Sequence, residues 1–254
     1  MLPILFTIGN VPFYSHHVFF VLGILSGLAW LMVEARRRHW KKEEVIPITL
    51  AAFVGGVIGA RLSIIFFDGP NVLPVVWNWF SLFDPRLGPG SILGAVAGAY
   101  AAGYVASRAI GKKECTCDAF APAMALATCI GRIGDYLAAE DGLGKPTHLP
   151  WGVVVPGTDY AVHPEPLYDA AFSLIWFGIL LALRDHPKMQ DGNLLKLGIA
   201  GYAFARFFLE FARNNLVVAF GLTGQQYACI LMLLAVAAYY ARQWQLSRRG
   251  TAEA

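Results

Sequence analysis

Four polar side chains interrupt the end of an apolar run that begins at Phe120. Arg132, Asp135, Tyr136 and Glu140 follow one another there at i, i+3, i+4 and i+8. At helical pitch these positions share one face. A second polar face, Tyr202, Arg206, Glu210 and Arg213, occupies another apolar run at i, i+4, i+8 and i+11. A charged side chain at the centre of a membrane helix costs about 2.5–3.5 kcal/mol on insertion scales, so such residues normally face a protected interior. A guanidinium stays protonated when desolvated, and its fork matches phosphate oxygens two at a time. Two arginines at similar depth on different helices therefore predict an anion site, a phosphate ester being the best fit. The plainer reading of the second face is an Arg206–Glu210 pair within one helix that lowers the cost of insertion.

These faces must be positioned by a membrane scaffold. Of 254 residues, 57% are hydrophobic and 15% are charged, where a soluble domain carries about 25% charged residues. Repeated apolar runs are long enough for a hydrocarbon core of about 30 Å. Because they are continuous rather than alternating, a β-barrel is disfavoured. The expected class is an all-α polytopic membrane protein, and no nucleic-acid partner is expected. Met1 to His17 contains no Lys or Arg, so a cleaved secretory signal is not expected. Cys115 and Cys117 make a lone Cys-x-Cys, too few ligands for a zinc site, and are read as an ordinary reduced loop.

Seven spans are predicted near 17–34, 45–67, 90–107, 120–137, 164–183, 194–212 and 224–241, forming one integral membrane domain over 1–254. One set of loops and flanks holds Arg36, Arg37, Arg38, Lys41, Lys42, Arg108, Lys112, Lys113, Arg184, Lys188, Arg242, Arg248 and Arg249; the other set holds Arg86, Lys145 and Arg213. The positive-inside tendency puts the first set in the cytoplasm. The N-terminus is then periplasmic, the C-terminus cytoplasmic, and 68–88 and 138–163 are periplasmic loops. The first of these carries Trp77 and Trp79, which suit the membrane interface. Lys196 snorkels to the cytoplasmic side, whereas Arg61, Arg132 and Arg206 each fall in the outer half of a span. Gly90, Gly94, Gly98 and Ala102, with Gly55 and Gly59, give small faces four residues apart on which two helices can pack closely.

At the outer rim, Gly142 to Gly152 has the glycine and proline content of a shaped turn and includes Gly144. The fifth span opens with His163-Pro164-Glu165-Pro166-Leu167-Tyr168-Asp169. Proline suits a first helical turn, and Glu165 and Asp169 are favoured there by the helix dipole. Tyr168 is placed to hydrogen-bond across to a neighbouring helix. His16 and His17 stand at the mouth of the first span.

Four stretches in this order, Gly131-Arg132-Ile133-Gly134-Asp135, Gly144-Lys145-Pro146-Thr147, His163-Pro164-x-x-Leu167-Tyr168-Asp169 and Tyr202-x-x-x-Arg206-x-x-x-Glu210-x-x-Arg213, resemble the prolipoprotein diacylglyceryl transferase family. The resemblance covers nearly the whole chain and implies a bacterial inner-membrane enzyme. Such an enzyme moves the diacylglyceryl group of phosphatidylglycerol to the lipobox cysteine thiol of a prolipoprotein signal peptide. Glycerol phosphate leaves, a thioether forms, and no metal or cofactor takes part. The family's signature arginine falls on Arg132 and its closing acid on Glu140, with the sixth-span tyrosine, arginine and glutamate on Tyr202, Arg206 and Glu210. The expected reaction centre is Arg132, Asp135, Glu140, Tyr202, Arg206 and Glu210. Arg61, Gly144, His163, Tyr168 and His16 are expected around the substrate.

The chain also departs from the family's pattern. The third-span histidine often proposed as general base is Leu93 here, the signature's usual asparagine is Asp135, a first-span tyrosine is His16, and the glutamine after the His-Pro pair is Pro166. Leucine cannot accept a proton, and Asp135 adds negative charge unless an arginine pairs with it. Two readings stay open: a working transferase whose base is Asp135, Glu140 or His16, or a diverged relative that binds the lipid and modifies another acceptor. A transporter for an anionic substrate is a third reading, against which no internal repeat is visible.

Overall fold

The computed structural model describes residues 1–62, 92–112, 116–139, 143–189 and 192–252. Ile4 to Tyr14 places two apolar runs on either side of Gly9-Asn10, and it forms an antiparallel hairpin of β1 (Ile4–Ile8) and β2 (Val11–Tyr14) with Ile8 opposite Val11. Gly9 supplies the positive φ of 60° that a two-residue turn requires. The hairpin leads directly into α1 (Ser15–Arg37). The Ser15 hydroxyl donates to the Leu2 carbonyl and the Ser15 amide to Pro3, while the Leu2 amide reaches the Leu137 carbonyl at 2.9 Å. These bonds tie the mouth of α1 to the far end of α4 (Phe120–Ala138).

Among the described residues the remaining α-helices are α2 (Lys42–Leu62), α3 (Ile92–Ala109), α5 (Glu165–Leu183), α6 (Asn193–Leu209) and α7 (Gly224–Ala252). Helix α4 is central: it packs on α1, α5 and α6, while α7 packs on α6. Small residues let it approach closely. Ala121 and Ala125 meet Leu180, Leu194 and Leu195, and Ala119 and Ala123 meet Leu31. Large apolar side chains such as Phe20, Leu25, Leu50, Leu174, Ile175 and Leu231 point outward instead. That outward apolar coat is what a hydrocarbon surround accepts. Ser15–Arg37, Lys42–Leu62, Glu165–Leu183 and Gly224–Arg248 are long and apolar enough to cross a membrane.

Helices α2 and α3 pack on each other through Gly55, Gly59, Gly94, Gly98 and Ala102, as expected, while Gly90 lies outside the described residues. A Cβ on Gly98 would stand 2.2 Å from the Gly55 carbonyl oxygen, and one on Gly59 would stand 2.3 Å from that of Gly94. Both clashes are with backbone, so only a shift of the helices could relieve them. Gly98→Leu is expected to lower the melting temperature of the purified protein by several degrees, whereas Leu50→Ala, on the exposed side of α2, should leave it nearly unchanged.

Several of the predicted spans have different ends, α2 starting three residues early and α3 running on to Ala109. Helix α1 starts two residues early and runs on to Arg37. The sixth span ends as an α-helix at Leu209 and tightens into a 3-10 turn over Glu210–Ala212, and α7 extends well beyond 241. The loop expected over 138–163 contains a short hairpin, β3 (Val153–Val154) with β4 (Ala161–Val162), and β5 (Val217–Ala219) pairs with β6 (Leu222–Thr223) before α7. The mainly helical class therefore acquires three small hairpins among the described residues. The end of the second predicted span, the whole 68–88 loop and Glu140 lie outside those residues. Cys117 is disulfide-bonded, which corrects the reduced-loop expectation.

At the start of α6, Gly192 has no side chain to satisfy the first amides. The buried Asp118 carboxylate, from the 3-10 turn Cys117–Ala119, accepts from the Gly192 and Leu195 amides at 2.8 and 3.0 Å. This anchors the end of α6 remote from Arg206.

Candidate active site

On α4, Arg132 and Asp135 lie one turn apart, and Arg132 Nη1 donates to Asp135 Oδ2 at 2.8 Å. Its Nε lies 2.8 Å from Asp169 Oδ2 on α5. Arg206, on α6, brings Nη1 to 3.6 Å from that same oxygen. The two guanidinium groups thus converge on one carboxylate oxygen, buried where three helices meet. The Arg132 side chain is 11% exposed, Arg206 7% and Asp169 0%, so each charge depends on the others for compensation.

The network continues on both sides. Arg206 Nη1 donates to Glu165 Oε1 at 2.7 Å and Nη2 lies 3.0 Å from Glu210 Oε2. Arg213, just past the 3-10 turn, donates to the other Glu165 oxygen at 2.9 Å. Glu210 Oε1 accepts from Asn215 at 2.5 Å and from the Thr223 hydroxyl at 2.9 Å. On the α1 side, His16 Nδ1 meets Asp135 Oδ1 at 2.8 Å, a contact made possible by the hairpin that ties the mouth of α1 to the end of α4.

Not every contact is well directed. Asp169 Oδ2 and Glu210 Oε2 touch guanidinium nitrogens without the alignment of a hydrogen bond, and the Tyr202 hydroxyl is buried beside Arg132 without a well-formed one. Buried polar atoms usually find a directed partner. Their concentration around Arg132 and Arg206 marks a place whose hydrogen-bonding capacity the protein's own groups do not use up.

Of the residues expected from sequence, His16, Arg132, Asp135, Tyr202, Arg206 and Glu210 are brought together, and Arg213 joins them. The plain Arg206–Glu210 pair is present too, but it is one contact of several. His163 and Tyr168 lie beside the cluster rather than in it: the Tyr168 hydroxyl accepts from Trp151 at 2.8 Å and lies 3.4 Å from His163 Nδ1. Gly144 has a packing reason to be glycine. A Cβ there would stand 2.6 Å from the His163 carbonyl oxygen and 2.8 Å from that of Ala212, and the neighbouring Lys145 bonds both segments through its backbone. The turn therefore clamps the start of α5 to the end of α6. Arg61 is half-buried in the last turn of α2 and is absent from the ion pairs of Arg132 and Arg206 among the described residues. Leu93 falls in the first turn of α3.

From sequence alone Glu165 and Asp169 are only acids favoured by a helix dipole. They are the principal partners of both arginines. Two acids four residues apart at the start of an apolar span share a face, and matching them with the two membrane arginines elsewhere was the signal available.

A family model described as prolipoprotein diacylglyceryl transferase matches residues 3–242. The chain belongs to the prolipoprotein diacylglyceryl transferase family. Curated relatives named phosphatidylglycerol–prolipoprotein diacylglyceryl transferase include that of Pseudoalteromonas atlantica, 28% identical over 84% of this chain and 75% of the relative. Another, from Clostridioides difficile, is 28% identical over 83% and 82%. A third, from Legionella pneumophila strain Lens, is 28% identical over 91% and 93%. In this member of the prolipoprotein diacylglyceryl transferase family Arg132 and Arg206 are the two arginines that meet on Asp169. Asp135 is ion-paired with Arg132 and held against His16.

Proposed function

We propose that this protein transfers the diacylglyceryl group of phosphatidylglycerol to the lipobox cysteine thiol of prolipoproteins in the bacterial inner membrane. The observation that carries the reading is the convergence of Arg132 and Arg206 on the single anionic oxygen of Asp169, a geometry that suits a phosphate ester as well as a carboxylate. The proposed arrangement has seven spans, a periplasmic N-terminus and a cytoplasmic C-terminus. Support for that orientation comes from the basic residues gathered at the opposite end of α4 and α6, which leaves the arginine cluster on the periplasmic side.

The chemistry follows from the charges. The substrate thiol loses its proton, its sulfur attacks the glyceryl carbon that carries the phosphate ester, and a carbon–sulfur bond forms. The carbon–oxygen bond breaks, and glycerol phosphate leaves with one more negative charge than the phosphodiester had. Fixed guanidinium groups in a dry site stabilise that developing charge, typically by a factor of about 10²–10³ per donor. The sulfur comes from the peptide, so the enzyme supplies a base rather than a nucleophile.

His16 is the base in this proposal. Its Nδ1 contact with Asp135 fixes the ring and supports the imidazolium formed when it takes the proton. The arrangement replaces the third-span histidine that Leu93 lacks. His16→Ala is expected to slow transfer at neutral pH by about 10²–10⁴-fold while leaving phosphatidylglycerol binding intact. The defect should shrink as pH rises towards the thiol's ordinary value of about 8.5, where solvent generates thiolate unaided. A defect that stays constant from neutral pH to pH 9 would remove His16 from this role.

The test of the reaction itself is product identification. Purified protein is incubated with glycerol-headgroup-labelled phosphatidylglycerol vesicles and a lipobox peptide, and the products are resolved by mass spectrometry. A peptide bearing a thioether-linked diacylglyceryl group, with an equal yield of labelled glycerol phosphate, is expected. Lipid turnover without modified peptide would mean another acceptor, and vesicle-to-vesicle flux without turnover would mean transport.

A further inference from the structure

Among the described residues the cluster holds three guanidinium groups, Arg132, Arg206 and Arg213, and four carboxylates, Asp135, Asp169, Glu165 and Glu210. With His16 neutral, negative charge is already in excess before any lipid arrives. A phosphodiester entering this buried site would deepen the excess, which is costly away from water. One carboxylate has to give way.

The partners of each carboxylate decide which one. Asp135 is held by both Arg132 and His16. Asp169 touches both arginines and also accepts from the Ser173 hydroxyl at 3.4 Å. Glu210 is fixed by Asn215 and Thr223 as well as Arg206. Glu165 differs: among the described residues its side-chain oxygens bond only Arg206 and Arg213, at 2.7 and 2.9 Å. It is fully buried at the first residue of α5, and each of its oxygens satisfies a different guanidinium, as two phosphate oxygens would. Displacing it breaks two bonds to guanidinium groups, both of which an incoming phosphate remakes.

We propose that Glu165 is an internal stand-in for the headgroup phosphate, occupying Arg206 and Arg213 until an anionic lipid displaces it. Glu165 is then a specificity-determining residue. A zwitterionic or neutral lipid brings too little net negative charge to replace it, so the site selects phosphodiester lipids whose headgroup has a net negative charge. Arg213, 18% exposed where Arg206 is 7%, becomes the outer arm that meets the headgroup first. This inference rests on the transferase reading given above.

The experiment compares wild type with Glu165→Gln, purified in neutral detergent, by calorimetric titration with dioctanoyl-phosphatidylglycerol and with dioctanoyl-phosphatidylcholine. Glutamine keeps the shape and one acceptor but removes the competing charge. Glu165→Gln is expected to bind the glycerol lipid at least about tenfold more tightly, the effect of removing a like charge at contact distance. It should lower KM for that lipid in transfer assays without raising kcat and narrow the preference over the choline lipid. Equal or weaker binding by a folded Glu165→Gln protein overturns the proposal. Should that variant fail to fold, Glu165→Asp, too short to hold both arginines, should bind more tightly than wild type. Equal or weaker binding by Glu165→Asp, or its failure to fold as well, would make Glu165 a structural counter-ion and overturn the idea. Failure of the transferase reading is distinct: neither wild type nor variant would then prefer the glycerol lipid or turn it over.

Discussion

Arg206→Lys is expected to slow diacylglyceryl transfer by about 10²–10³-fold, measured as thioether product per folded enzyme, while leaving a protein that still melts cooperatively. The guanidinium reaches carboxylates on two helices: Glu165 and Asp169 through Nη1, and Glu210 through Nη2. Lysine keeps the positive charge but concentrates it in one compact ammonium that cannot fork between two acceptors. Arg206→Ala is expected to be worse in a different way. It takes one cationic partner from each of the buried Glu165, Asp169 and Glu210 and leaves Glu210 with neutral donors only among the described residues, and should lower the melting temperature far more than lysine does. Comparing the two variants separates the charge that holds the fold from the fork that grips the leaving group.

The largest effect on stability is expected at Asp169. Asp169→Asn leaves Arg132 and Arg206 facing each other without the charge they share, and breaking a buried ion pair from one side costs about 3–5 kcal/mol. A correspondingly large fall in denaturation midpoint should be seen in detergent micelles. Asp135→Asn provides the comparison. Asp135 is 18% exposed, and Arg132 keeps Asp169 when it is neutralised, so the fall should be much smaller. Equal falls in the two variants would mean that the shared oxygen has no special weight in holding α4, α5 and α6 together.

Much of this site was legible because charge in an apolar run needs a reason. Arg132 and Arg206 stood out on that ground alone, and helical pitch put Asp135 beside the first and Glu210 beside the second. The glycine faces of α2 and α3 were legible for the same kind of reason: a ridge of small residues predicts a close partner, and Gly98 has one in Gly55. Glu165 was missed because an acid in a first helical turn already has an ordinary explanation in the helix dipole, and no local pattern says which distant arginine it will meet. The hairpin at Ile4–Tyr14 is less legible, because Gly9-Asn10 is a turn signal but the apolar runs on either side of it do not alternate. Missing it hid how His16 reaches Asp135, because that contact depends on where the hairpin ties α1 to α4. Long-range pairing of this sort is a property of packing, and single-helix periodicity does not encode it.

The central claim is that the two arginines form one phosphate site rather than two separate ion pairs. A double-mutant cycle tests it most directly, with transfer rates measured for Arg132→Lys, Arg206→Lys and the double variant, each normalised to folded protein. Groups that act as a unit give strongly non-additive losses. The account predicts that the double variant is scarcely slower than the slower single one. Losses that multiply, as they do for independent positions, would contradict it.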